Sequence, residues 1–339
     1  FGCPVPCRVR RSAMDYYVSR ARSKTGKRVS PNSYFPIRLM SFSSATRRTV
    51  LVAGLALLGG LPFQAASSAD TLRVGAIPDQ NPERLNRLYG ALSTELSETL
   101  GVPVRYVPVS NYPAAVSAFR TGALDLVWFG GLTGVQARLQ TPGARVLAQR
   151  DIDAKFTSVF IANGASGLRP LKGQDQLKRL RGKRFTFGSE SSTSGRLMPQ
   201  HFLAQAGVTP DQFQGRPGFS GSHDATIALV QSGAYEVGAL NSQVWKAQVE
   251  DGRADPAKVS VIWTTPTYAD YHWVARPNLN QRFGKGFTRR LKTALIELRP
   301  DTARRRTILE LFGASRFIPA QAKDYAAIET VGRELGKIR

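Results

Sequence analysis

The sequence predicts an α/β fold arranged as two lobes, and three observations carry that expectation. From residue 71 onward, short β-rich runs alternate with stretches of helical periodicity. No low-complexity linker and no repeat of about 20–50 residues interrupts the alternation. The composition is globular: 42% of the 339 residues are hydrophobic and 21% charged, which excludes a disordered chain, a collagen-like chain and a multi-pass membrane protein. The length fits about two domains of roughly 100–200 residues.

The elements follow in order. Residues 72–77 alternate and end at Pro78, the signature of a strand running into a loop. Leu85, Leu88, Leu92, Leu96 and Leu100 recur at helical spacing, and Gly101 supplies a C-terminal stop. A second β-rich run spans 102–109, a short helix 112–121 stops at Gly122, and a third strand, 124–129, closes at Gly130-Gly131. Strands are then expected at 146–150, 157–162, 184–188, 237–240 and 259–263. Helices are expected at 175–180, 195–206 and 223–232, and the tail from 283 to 337 is mostly helical, with Phe287, Leu291, Leu295 and Leu298 on one face.

The first 69 residues do not read as part of this fold. They hold 11 basic residues against one acid, together with both cysteines, Cys3 and Cys7. After Met40 come Arg47-Arg48, an apolar run from 50 to 63 and small residues ending at Ala69, the three parts of a secretory signal peptide. The apolar run is short and interrupted by glycine, whereas spanning a bilayer takes about 20 residues. Arg47-Arg48 fits a twin-arginine export signal and a plain basic segment equally. Residues 1–39 are read as an upstream extension preceding a start at Met40, and 40–69 as the signal peptide. Cleavage after Ala69 leaves 270 residues without cysteine, compatible with a periplasm. No cysteine follows the apolar run, which argues against a lipid anchor.

Two stretches could carry chemistry. Gly188-Ser189-Glu190-Ser191-Ser192-Thr193-Ser194-Gly195 lies between a predicted strand and a predicted helix. One hydroxyl suffices to cap a helix, so this many, flanked by glycines, point to an oxyanion cradle that adds hydroxyls to free amides and the helix dipole. Gly221-Ser222-His223-Asp224 again enters a helix, and His223 is one of only three histidines. Phosphate-loop and dinucleotide-binding glycine patterns are absent, as are metal-binding spacings among His201, His223 and His272. A Ser192–His223–Asp270 set lacks the strand–turn–helix elbow of a hydrolase nucleophile.

Asn111-Tyr112 before a helix, the run from Gly122 to Gly130, Ser192-Thr193-Ser194-Gly195, Gly221-Ser222-His223-Asp224 and Tyr268-Ala269-Asp270 together resemble the periplasmic phosphate/phosphite/phosphonate-binding proteins of ABC importers. The resemblance covers nearly all of 71–339. It implies a two-lobed periplasmic-binding-protein type II fold, with lobe 1 formed by 70–156 and 268–339 and lobe 2 by 157–267. It implies further that a small oxyanion is held between the lobes without a cofactor. By position, Tyr112 corresponds to the family's cleft tyrosine and Ser192, Thr193 and Ser194 to its anion-binding hydroxyl turn. His223 corresponds to the histidine that contacts the anion, and Asp270 to the carboxylate near the second hinge. Two positions depart from the pattern. Phe129 replaces a tyrosine, and Gln243 stands where binders of aminoalkylphosphonates have a glutamate that meets the ligand ammonium, which favours a smaller oxyanion.

Asp270 adds a physical inference. A carboxylate beside an anion is repulsive unless it accepts a hydrogen bond, so a ligand that retains an acidic proton is favoured over fully deprotonated sulfate or selenate. The leading expectation is therefore a monomeric, non-enzymatic solute-binding protein that delivers phosphonate, phosphite or phosphate to an inner-membrane permease. The alternatives are a selenate- or sulfate-binding protein, a periplasmic hydrolase of phosphate or phosphonate esters, and a sensory module for the same ligand. Residues 70–339 keep a net charge of +13 of the chain's +23, which raises local anion concentration and is accompanied by no nucleic-acid recognition motif.

Overall fold

Buried apolar stripes and glycine or asparagine punctuation set the elements. The computed structural model describes residues 70–339; the upstream extension, the signal peptide and both cysteines of the sequence reading lie outside the described residues. The first half of the chain runs β1 (Leu72–Ala76), α1 (Pro82–Leu100), β2 (Val104–Tyr106), α2 (Tyr112–Thr121), β3 (Leu126–Phe129), α3 (Gly131–Leu139) and β4 (Arg145–Arg150). It then crosses to β5 (Ser158–Asn163), β6 (Phe185–Phe187), α4 (Met198–Gln205), β7 (Gly218–Phe219), α5 (His223–Gln231), β8 (Val237–Asn241), α6 (Ser242–Glu250) and β9 (Val259–Thr264). It returns through β10 (His272–Ala275), α7 (Leu279–Phe283), α8 (Phe287–Ile296), α9 (Ala303–Phe312), β11 (Phe317–Pro319) and α10 (Ala326–Glu334).

Two sheets result. The first has the order β11-β4-β10-β3-β1-β2, with β1 parallel to β2 and β3, and β10 inserted antiparallel between β3 and β4. The second has the order β7-β6-β8-β5-β9, with β6 parallel to β7 and β8, and β5 antiparallel to β8 and β9. Each sheet with its helices forms one lobe, and the chain passes between them at 151–157 and 265–271. The two passages are tied together: Phe156 and Tyr268 exchange backbone hydrogen bonds of 2.8 and 2.9 Å. Leu85, Leu88, Leu92 and Leu96 of the α1 stripe are buried as their spacing predicts, with Leu100 half-buried at the helix end, and each buried leucine contributes about 1.5–3 kcal/mol.

The structure departs from the sequence reading at several elements. The strand expected over 102–109 is only three residues long, and 174–180 is a 3₁₀ turn. The helix expected from 195 begins with a wider turn, in which Leu197 N donates to Ser192 O, a bond spanning five residues. Helix α3 starts at the Gly130-Gly131 pair, read as a strand end because Gly130 brings no capping side chain. Helix α6 is capped by Asn241, the last residue of β8, whose side-chain oxygen accepts from Gln243 N and Val244 N at 2.7 and 3.1 Å.

At the joint between the lobes, the buried Arg150 guanidinium pairs with Asp153 at 2.6 Å and donates to Phe312 O at 2.6 Å. It also lies over the rings of Trp128, Phe156 and Tyr271, at 5.6, 5.6 and 4.9 Å. One cation thus anchors residues from both passages between the lobes.

Candidate functional site

The N-termini of α2, α3 and the wide turn leading into α4 converge between the lobes. Asn111 caps α2, accepting from Ala114 N at 2.8 Å, and so places Tyr112 at the first helical position. Ser192 caps the wide turn, accepting from Gly195 N at 2.9 Å, which leaves its own hydroxyl hydrogen free to donate. Thr193 bridges the lobes: its Oγ1 accepts from Leu132 N of α3 at 2.9 Å. Asp270 caps α3, its Oδ1 accepting from Gly131 N at 2.8 Å, and so supplies the cap that Gly130 lacks.

Two glycines stand at close approaches. A Cβ on Gly130 would lie 3.1 Å from Thr193 Oγ1 and 3.3 Å from Asp270 Oδ1. A Cβ on Gly195 would lie 3.0 Å from Ser192 Oγ and 3.2 Å from both Gly188 Cα and His223 Cε1. A side chain at either position would crowd the hydroxyl turn against α3 or α5.

Three polar atoms in this convergence are buried without a protein partner: Tyr112 Oη, Ser194 Oγ and Asp270 Oδ2. Tyr112 Oη lies beside Ser192 outside hydrogen-bonding geometry, and Ser194 Oγ stands in the same way beside Tyr268. Unsatisfied groups at this depth each cost on the order of 1–3 kcal/mol, and a polar group placed among them would offset that cost. With the Ser192 hydroxyl they present three donors and one acceptor.

Burial sets the electrostatics. It pushes Asp270 up to about 7, against the lowering effect of the Gly131 N–H. Burial, reinforced by the Asp79 carboxylate, drives the Tyr112 phenol well above its ordinary range, so Tyr112 is a donor at neutral pH. Burial also takes His223 down to about 3, leaving it neutral.

The residues singled out in the sequence thus separate. Tyr112, Ser192, Thr193, Ser194 and Asp270 come together. His223 adjoins them through its Cε1, but protein groups meet both ring nitrogens: Asn241 N donates to Nδ1 at 3.4 Å, and Nε2 lies 3.2 Å from Tyr271 Oη. Phe129 is buried in its own lobe, edge-on to Phe119 at 5.7 Å. Gln243 lines a 640 Å³ groove between the lobes, its side chain facing Gly313.

A second polar cluster was not anticipated from sequence. Tyr271 Oη donates to Asp79 Oδ2 at 2.9 Å and accepts from Asn241 Nδ2 at 3.1 Å. Its ring stacks on Trp128. Burial raises Asp79 to about 6, partly offset by the Tyr271 hydrogen bond. These residues lie singly in ordinary-looking segments, and the adjacency of Tyr271 to Asp270 was the only sequence signal.

Comparison with known proteins yields consistent matches. Residues 74–325 match the family of periplasmic substrate-binding proteins of phosphonate ABC transporters. The chain is 54% identical over 274 residues to the probable ABC transporter phosphite-binding protein PhnD1 of Prochlorococcus marinus, covering 80% of this chain and 92% of that one. It is 26% identical over 239 residues to the phosphate-import protein PhnD of Mycolicibacterium smegmatis, covering 67% and 72% of the two chains. The solved structure of the Prochlorococcus protein in complex with methylphosphonate superposes with a TM-score of 0.78, covering 79% of this chain and 99% of that one.

Proposed function

The chain belongs to the family of periplasmic substrate-binding proteins of phosphonate ABC transporters, and from that premise we propose that it captures a small phosphorus oxyanion at the convergence of α2, α3 and the hydroxyl turn. It is a transport component rather than an enzyme, as its relatives are. The observation that carries the ligand class is the set of three hydroxyl donors facing one buried carboxyl acceptor. An oxyanion that keeps one proton, such as hydrogen phosphite or hydrogen methylphosphonate, satisfies all four groups. With Asp270 ionised, as it is above about pH 7, sulfate and selenate have no proton to offer it and set a like charge against it.

In this reading hydroxyls and helix N-termini carry the recognition. The relatives named above bind phosphite or methylphosphonate or import phosphate, which favours phosphorus over selenium or sulfur. Gln243 supplies no charge for an ammonium group and faces Gly313, which supports a ligand without an aminoalkyl arm.

In operation the lobes close over the anion about the paired passages at 151–157 and 265–271, and the closed protein presents its cargo to an inner-membrane permease. The finer reading is that the protein works as a monomer and is exported by residues 40–69, on the strength of their basic, apolar and small-residue order.

A thermal-shift series tests the ligand class, because a ligand that binds only the folded state raises its apparent stability. Phosphite and methylphosphonate at about 100 times their dissociation constants should raise the folding free energy by about 2.7 kcal/mol. Sulfate and selenate at the same concentration should produce little shift. A larger shift with selenate would transfer the site to a different anion.

A further inference from the structure

Two hydrogen bonds join the segment before α1 to the N-terminus of α5 on the other lobe. His223 N donates to Asp79 O at 2.9 Å, and Asn81 N donates to Asp224 Oδ2 at 2.6 Å. Asn81 is the cap of α1, accepting from Glu83 N and Arg84 N through its side chain. In a complete capping box the third helical residue is Glu or Gln, and its side chain turns back to accept from the cap residue's own N–H. The third residue of α1 is Arg84, which has no acceptor to offer. The vacant role is taken by Asp224, 143 residues away and on the opposite lobe.

Asp224 serves its own helix as well. It lies in the first turn of α5, where a carboxylate complements the positive end of the helix dipole. Its second oxygen accepts from Gln248 Nε2 of α6 at 3.2 Å, which fixes the carboxylate's direction. Two helix N-termini from opposite lobes thus face each other with one carboxylate between them. Without that charge the approach would bring like partial charges together.

We propose that Asp224 is a positioning residue for ligand retention, completing the α1 capping box in trans only when the lobes are closed. Both of its oxygens are engaged by protein groups, so it acts on closure and makes no contact with the anion. Opening the lobes parts Asn81 from Asp224, and the energy of that bond enters the barrier to ligand release. The proposal rests on the oxyanion-binding reading above.

Stopped-flow binding of phosphite and of methylphosphonate to the wild-type protein, Asp224→Ala and Asp224→Asn tests it. Asp224→Ala should raise the dissociation rate about ten-fold, equivalent to about 1.4 kcal/mol, and by the same factor for both ligands. Asp224→Asn retains an acceptor without the charge and should fall between, and it carries the test should the alanine variant not fold. An unchanged dissociation rate in both variants would overturn the latch. A changed preference between the two ligands would also overturn it, because it would place Asp224 at the anion. Failure of the wild-type protein itself to bind either anion would instead overturn the functional reading on which the latch depends.

Discussion

At the scale of single residues, Asp270 is the most exposed claim. Its carboxyl is raised to about 7 because burial penalises the charged form. Between about pH 4 and 7 the folded state therefore holds a proton that the unfolded state has released, so this group's contribution to stability falls as pH rises through that window. Asp270→Asn removes the penalty, and without ligand the variant should melt higher than wild type at pH 8 but not at pH 4, as followed by thermal denaturation. The same substitution takes away the acceptor for a protonated ligand. The ratio of phosphite to sulfate affinity should drop by at least about ten-fold; an unchanged ratio would remove Asp270 from the selectivity argument. Ser194→Ala and Tyr112→Phe each delete a donor that has no protein partner, so they should weaken phosphite binding by about ten-fold or more while leaving unliganded stability nearly unchanged or slightly higher. Titration calorimetry paired with thermal melting separates the two effects. Gln243→Glu should not create affinity for aminoethylphosphonate, because that side chain faces Gly313.

At the scale of elements, the proposed site is a meeting of helix starts, and this explains what the sequence made legible. Tyr112, Ser192 and Asp270 could be placed because each stands in a compact local pattern: an asparagine cap, a hydroxyl run between glycines, and a short motif of recognisable order. Thr193 was read as part of the hydroxyl turn, but its bond to Leu132 N joins residues 61 apart and has no local signature. For the same reason His223 could be located but not its hydrogen-bond partners, which come from β8 and from the second passage between the lobes. The first turn of α3 was missed because its cap, Asp270, lies 139 residues downstream. The Arg150–Asp153 pair is another element-scale feature, holding the end of β4 against both passages. Arg150→Met leaves a buried carboxylate unpaired and should cost about 3–5 kcal/mol of stability, measurable by urea denaturation. A cost under about 1 kcal/mol would show that the joint does not depend on this pair.

At the scale of the whole molecule, two sheets of different strand order enclose the proposed anion-binding groups, and the contacts between them include three beside those groups. Thr193 meets α3, the Asp79–Asn81 segment meets α5, and Tyr271 ties Asp79 to Asn241. Observed affinity thus combines contacts to the ligand with the free energy of closing the lobes, and a substitution in either set lowers it. The alternation of strands and helices was enough to anticipate two α/β lobes, whereas the insertion of β10 between β3 and β4 depends on pairing across more than 120 residues, which no local pattern records. The central claim is that the enclosed groups select a phosphorus oxyanion able to donate one hydrogen bond to Asp270. The deciding measurement is isothermal titration of the purified protein at pH 8, where Asp270 is mostly ionised, with phosphite, methylphosphonate, sulfate and selenate. Phosphite and methylphosphonate should bind saturably, with sulfate and selenate weaker by at least about ten-fold. Binding of selenate or sulfate as tight as that of phosphite would contradict it.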